Sequence, residues 1–305
     1  MYLHNNNTDF ADAIAIASDM LDIEPAFVEK DYYAVLFLDL LSKEEPSLVF
    51  KGGTCLSKCH KVIDRFSEDI DITIYGDKKP TEGQRRHLKQ SIVKVSEELG
   101  LNIVNLENTR SRRDFNRYEI DYRPNFSSQY SNQYLLIETS SFQPVYPIVQ
   151  KNMNSYVSHY LAHEIDPMEL LEHYHLFPFS INTISLERTF IDKTFALCDY
   201  YVRDEMTRNS RHIYDIHKIY PQIEMNDDFF ELFERVRQDR ESDETCVSAA
   251  KGFSVSSTLK EIIKTDAYKS DYNRLTAGMI MDKTTYNDAV KTLKTVANKL
   301  ASQSK

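Results

Sequence analysis

The stretch Phe50-Lys51-Gly52-Gly53-Thr54-Cys55-Leu56-Ser57-Lys58, followed by Arg65-Phe66-Ser67-Glu68-Asp69-Ile70-Asp71-Ile72-Thr73-Ile74-Tyr75, constrains this chain more than any other part of it. Leu48, Val49 and Phe50 read as a short buried strand that ends at a glycine pair. Adjacent glycines let the backbone turn tightly and approach a ligand that a Cβ would hold off. Thr54 is placed to cap a following helix, whose free N–H groups would face an anion, phosphate being the natural one. In the second segment Ile70, Ile72 and Ile74 alternate with Asp69, Asp71 and Thr73, the period of a strand with one apolar face. Asp69 and Asp71 then leave the strand on the same side, roughly 6–7 Å apart along the chain. A divalent cation bridges that gap, and magnesium takes one or two carboxylates with phosphate oxygens and water. Two such ions, about 3.5–4 Å apart, clamp the attacking and leaving oxygens of a phosphoryl displacement. A bare Asp-x-Asp is more often a solvated strand face. The strand, glycine pair and helix just before it turn the reading toward chemistry.

Gly52-Gly53-Thr54-x-Leu56 and Arg65-Phe66-Ser67-Glu68-Asp69-Ile70-Asp71 resemble the signature of the AbiEii/AbiGii-type nucleotidyltransferase toxins. These are the toxin halves of abortive-infection and type IV toxin–antitoxin pairs, related to the MenT toxins. The resemblance implies an α+β fold: a DNA polymerase β-like nucleotidyltransferase core, with a mixed sheet flanked by helices, and a C-terminal helical domain. It implies a magnesium-dependent transfer of NMP from NTP to RNA, with pyrophosphate released. The acceptor in the family is the 3′ end of tRNA, and a cognate antitoxin or repressor counters the toxin.

On that pattern Gly52, Gly53 and Thr54 hold the triphosphate, and Asp69, Asp71 and Glu138 hold the metal. Glu138 lies in the apolar run Tyr134 to Ser140, with Asp121 in reserve as third carboxylate. Ser67 and Lys193 would stabilise charge on the leaving pyrophosphate. The family carries a lysine in a helix and then an Arg-x-x-x-Asp segment, matched here by Lys193 and by Arg211-His212-Ile213-Tyr214-Asp215. Asp215 would orient Lys193, Arg211 or the acceptor hydroxyl, although a plain Lys–Asp bridge between helices explains the pair equally well by itself. Val28-Glu29-Lys30-Asp31-Tyr32 also matches a Glu-Lys-Asp run of the family, with a surface helix salt bridge as its simplest account. Cys55 departs from the commoner small aliphatic residue.

The 305 residues exceed one core of ordinary size, so two domains are expected: 1–180, the catalytic core with its N-terminal helices, and 181–305, helical. Hydrophobic content of 41% with 28% charged residues describes an ordinary globular chain. No apolar run approaches the ~20 residues that span a bilayer, and Met1 to Asn7 lacks a signal-peptide pattern, so a cytoplasmic location is the default expectation. The 4 cysteines form no disulfide framework at this length and read as buried small residues.

Net charge of −10 argues against indiscriminate nucleic-acid binding. Yet nine Arg and Lys residues lie from Arg85 to Arg123, with Tyr118 and Tyr122 interleaved, a composition that holds a phosphate backbone and stacks a base or simply guards a sheet edge. Helices are expected from Asp9 to Asp22, from Pro25 to Leu41 and from Thr81 to Leu99; strands over Phe115–Tyr122 and Tyr134–Ser140; and helices again from Ile181, with a loop over Gly252–Ser257. Other classes fit the same residues: transfer to a protein or small molecule, a kinase, or a non-catalytic nucleotide-sensing partner.

Overall fold

Starts and stops written into the sequence place the first helices. In the computed structural model, which describes all residues except 66, 68, 129–131, 164–166, 304 and 305, α1 (Asn7–Leu21) is capped by Asn6 and ends at Asp22 in the left-handed region, φ 52°. Phe66 and Glu68 of the motif thus lie outside the described residues. Helix α2 (Pro25–Glu44) begins on Pro25, whose missing N–H is not needed there. Next come β1 (Leu48–Lys51), α3 (Gly52–Lys58), β2 (Ile70–Ile74) and α4 (Glu82–Glu98). Thr81 and Gln84 cap α4 reciprocally, each side chain accepting the other's backbone N–H. The first unit, Met1–Cys59 with Glu68–Thr183, continues through β3 (Asn102–Ile103), β4 (Phe115–Asp121), β5 (Tyr134–Ser140), β6 (Ile148–Met153), α5 (Tyr156–Leu161), α6 (Pro167–Tyr174) and β7 (Phe179–Ile184).

Seven strands form one mixed sheet in the order β3-β4-β5-β2-β1-β7-β6. Strand β2 runs antiparallel to β1 and parallel to β5, β4 is antiparallel to β3 and β5, and β7 is parallel to β1. The α+β class, the mixed sheet with flanking helices and the helical C-terminal part are those expected. Ile70, Ile72 and Ile74 are buried with Leu88, Ile92 and Val95 of α4 and Val28, Val35 and Leu36 of α2, each large aliphatic side chain contributing about 2 kcal/mol. Helical character was expected from Ile181, but residues 179–184 form β7. Ile181 and Thr183 turn inward while Ser180 is exposed, and Thr183 pairs with Phe50.

The second unit, His60–Ser67 with Ile184–Lys305, is helical: α7 (Leu186–Val202), α8 (Arg211–Ile219), α9 (Asp227–Arg240), α10 (Val255–Lys264), α11 (Lys269–Arg274) and α12 (Tyr286–Gln303). Ser185 caps α7 and Ser254 caps α10, so the loop expected over Gly252–Ser257 ends earlier. All cysteines are free and buried. Among the described residues no helix is long and apolar enough to cross a membrane.

Glu29 and Lys30 are not the surface bridge expected of them. Glu29 is fully buried and accepts the N–H groups of Asn125 and Phe126, both at 2.9 Å, while Lys30 donates to the Asn132 carbonyl at 3.1 Å. Asp31 accepts the Tyr156 N–H and pairs with Lys58. The run therefore pins the β4–β5 connection and the start of α5 to α2. Glu29→Ala should cost about 2–3 kcal/mol in chemical unfolding, because two buried donors lose a charged acceptor. Amide exchange should accelerate at Asn125 and Phe126 in that variant and stay near wild type within α4.

Candidate active site

At the end of β1 the chain turns on Gly52, φ +77°, and an added Cβ there would collide with the Asp71 carboxylate. Glycine is required twice over, for the backbone angle and for the room it leaves to Asp71. Helix α3 begins at Gly52 itself, so Thr54 is not the cap expected; Lys51 holds that position without a side-chain bond. The Thr54 hydroxyl instead donates to the Asp69 carbonyl at 2.7 Å and ties α3 to the lead-in of β2. Asp69 and Asp71 are both half-buried.

The two candidates for a third carboxylate differ in register. Glu138 is level with Asp71 on the neighbouring strand, whereas Asp121 pairs with Tyr134, four residues away along β5. Glu138 is held by an arginine. Arg117, directly opposite it on β4, donates Nε and Nη2 to Glu138 Oε1 at 2.8 and 2.5 Å. Among the described residues no three His, Cys, Asp or Glu side chains are gathered closely enough to hold a metal ion. Asp69 and Asp71 still fit magnesium, since two hard carboxylates beside a glycine turn are what that ion takes with phosphate oxygens. Tyr118 and Tyr122 are buried in the core, which removes them as stacking platforms for a base.

In the second unit Asp215 is fully buried on α8 between two cations. Arg65 donates Nε to Oδ1 and Nη2 to Oδ2, each at 2.7 Å, and Lys193 Nζ reaches Oδ2 at 2.7 Å. Burial alone would raise the Asp215 carboxyl, but Arg65 and Lys193 outweigh it and hold it well below the usual carboxylate range. Burial lowers Lys193 against the opposing pull of Asp215. Burial and then Lys193 also push His212 well below its ordinary value, so this imidazole adds no charge to the cluster. Lys193 is buried because α7 is covered nearly all round. Ser67 is half-buried at the end of the 60–67 segment.

A family model described as nucleotidyl transferase AbiEii toxin, type IV TA system, matches residues 35–299. The chain belongs to this family. It is accordingly a nucleotidyltransferase toxin of a type IV toxin–antitoxin system. Among solved structures it is similar to MenT4, a nucleotidyltransferase toxin from Mycobacterium tuberculosis H37Rv, at 14% identity and a TM-score of 0.45, over 95% of this chain and 98% of that one. No curated protein matches the sequence.

Arg65, at the head of the Arg-Phe-Ser run of this AbiEii-family chain, has a role that no local pattern announces. Its partner lies 150 positions away, and the sequence signal was an arginine between Ile63 and the Phe66-Ser67 pair. A carboxyl held below its unfolded value of about 4 stabilises fully above that pH and fades as pH falls toward the folded value. Asp215→Asn, which leaves two buried cations short of their counter-charge, should cost about 3–5 kcal/mol at neutral pH. Denaturant melts should show the gap to wild type shrinking steadily below about pH 4.

Proposed function

We propose that this AbiEii-family toxin transfers a nucleoside monophosphate from an NTP to RNA, at the 3′ end of tRNA, with magnesium, and that a cognate antitoxin answers it in the cytoplasm. The observation that carries this reading is the Asp69 and Asp71 pair beside the Gly52 turn, with Glu138 in register one strand away. Asp69, Asp71 and Glu138 would hold magnesium. The bound ions would draw charge from the phosphoryl oxygens in the transition state. The acceptor hydroxyl attacks the α-phosphorus, the bond to the β-phosphate oxygen breaks, and pyrophosphate leaves. Glu138 is assigned the hydroxyl proton.

Gly52 and Gly53 let the triphosphate approach the backbone, and Thr54 keeps the Asp69 backbone in place. We assign Ser67 and Lys193 to phosphate oxygens on the family pattern. Asp215 keeps the Lys193 ammonium charged and in position.

An RNA acceptor needs local positive surface on a chain of net charge −10. Residues 85–113 carry seven Arg and Lys against three Glu, and Arg86, Lys89 and Lys94 line an open groove of about 420 Å³ with Ser111. Arg112 and Arg113 are exposed beside it, while Arg117 is engaged by Glu138.

The test is incorporation of each labelled NTP into purified tRNA, other RNA, protein and small-molecule acceptors. Asp69→Ala and Asp71→Ala should each lower transfer more than about a hundredfold, the size expected for losing a principal electrostatic contact in the transition state, with circular dichroism unchanged. Changing Arg86, Lys89 and Lys94 together to Glu should weaken RNA binding and flatten its salt dependence by about three units of slope. Label entering another acceptor, and never RNA, would overturn the RNA reading; full activity in either aspartate variant would overturn the metal site.

A further inference from the structure

Four charged residues stand side by side across one face of the first unit's sheet. Arg117 on β4 is opposite Glu138 on β5, Glu138 is level with Asp71 on β2, and Asp71 is opposite Lys51 on β1. Neighbouring strands lie about 4.8 Å apart, so Glu138 and Asp71 are adjacent like charges, an arrangement that opposes itself unless a cation intervenes. The cation present at Glu138 is a guanidinium. Both Arg117 donors converge on Oε1, and among the described residues no donor reaches Oε2. The Arg117 side chain is 48% exposed against 15% for Glu138, so it can swing into solvent without leaving a void. Arg117 also lies within the field of Asp69.

We infer that Arg117 is the resident counter-cation of Glu138, and that Glu138 joins a divalent cation at Asp69 and Asp71 only when that cation displaces the guanidinium. The inference rests on the metal reading proposed above. It makes Arg117 a positioning residue that acts through Glu138. It also gives removal of the arginine an unusual sign: tighter metal binding, because a competitor and a repelling charge leave together. A residue with a merely structural role would weaken binding when replaced.

The experiment measures Mn2+ binding to the full chain by electron paramagnetic resonance, without nucleotide. Arg117→Gln should bind Mn2+ about tenfold tighter than wild type and Glu138→Gln about tenfold weaker, the size typical of changes around metal ligands. The double variant should lack the Arg117→Gln gain. Arg117→Lys, a point charge without the planar fork, should fall between wild type and Arg117→Gln. In wild-type protein carrying 15N-arginine, the Arg117 Nε–H resonance should move as Mg2+ is added, a readout that needs no variant.

Mn2+ binding that is lost in Asp71→Asn yet equal or weaker in Arg117→Gln overturns the exchange and leaves the metal reading standing. So does an Arg117 resonance unmoved at saturating Mg2+. A wild-type chain that binds no Mn2+ overturns both.

Discussion

Two carboxylates on adjacent parallel strands are the constraint that the first unit answers. Glu138 and Asp71 share a register position, and like charges one strand spacing apart destabilise a sheet. Arg117 answers Glu138 on one flank, Lys51 stands opposite Asp71 on the other, and the missing Cβ of Gly52 leaves Asp71 its space. What keeps the charges there is the other side of the same strands. Ile70, Ile72, Ile74 and Ile137 are buried almost completely. A one-residue slip of β2 would turn its isoleucines to water and Asp71 into the core, a loss of several kcal/mol that no surface pairing recovers. The hydrophobic face thus holds the polar face in register.

The second unit meets a different problem with similar means. A fully buried carboxylate is tolerated only where charge and hydrogen bonds replace water. Arg65 takes both oxygens of Asp215 in a planar fork and Lys193 takes one of them again. Such buried ion pairs add little net stability over well-packed apolar groups, while removal of one member is costly. What the cluster does supply is position: Lys193 has three rotatable donors on a flexible stem, and Asp215 fixes where that ammonium sits.

Local chemistry was legible in the sequence wherever it depended on near neighbours. The helix start near Thr81, the Pro25 start, the Asp22 stop and the alternation of β2 all came from residues within a few positions of each other. The glycine pair marked a close approach, though not that Asp71 is the group approaching. Strand β7 was missed because one of its two neighbours, β1, lies about 130 residues earlier, and Ser185 just after it reads as a helix start. Burial of Glu29, Lys193 and Asp215 was likewise invisible, since each is bonded to a segment far along the chain. Charge patterns announce solvent by default, and only long-range geometry reverses that.

The same geometry changes what the motif residues mean. Glu29, Thr54 and Arg65 all lie in runs that a signature would count as functional, yet each is bonded to another part of the chain. Thr54 holds the Asp69 carbonyl, and Arg65 holds Asp215. Glu29 acts at greater remove. Asn125 and Phe126 lie in the connection between β4 and β5, and Lys30 holds the far end of that connection at Asn132. Pinning both ends to α2 limits how β5 can slide against β4, and that register sets Arg117 opposite Glu138. A buried glutamate on a helix thereby helps to hold the strand pair in which Arg117 faces Glu138. Its place in the motif reflects the holding of that connection rather than a surface ion pair.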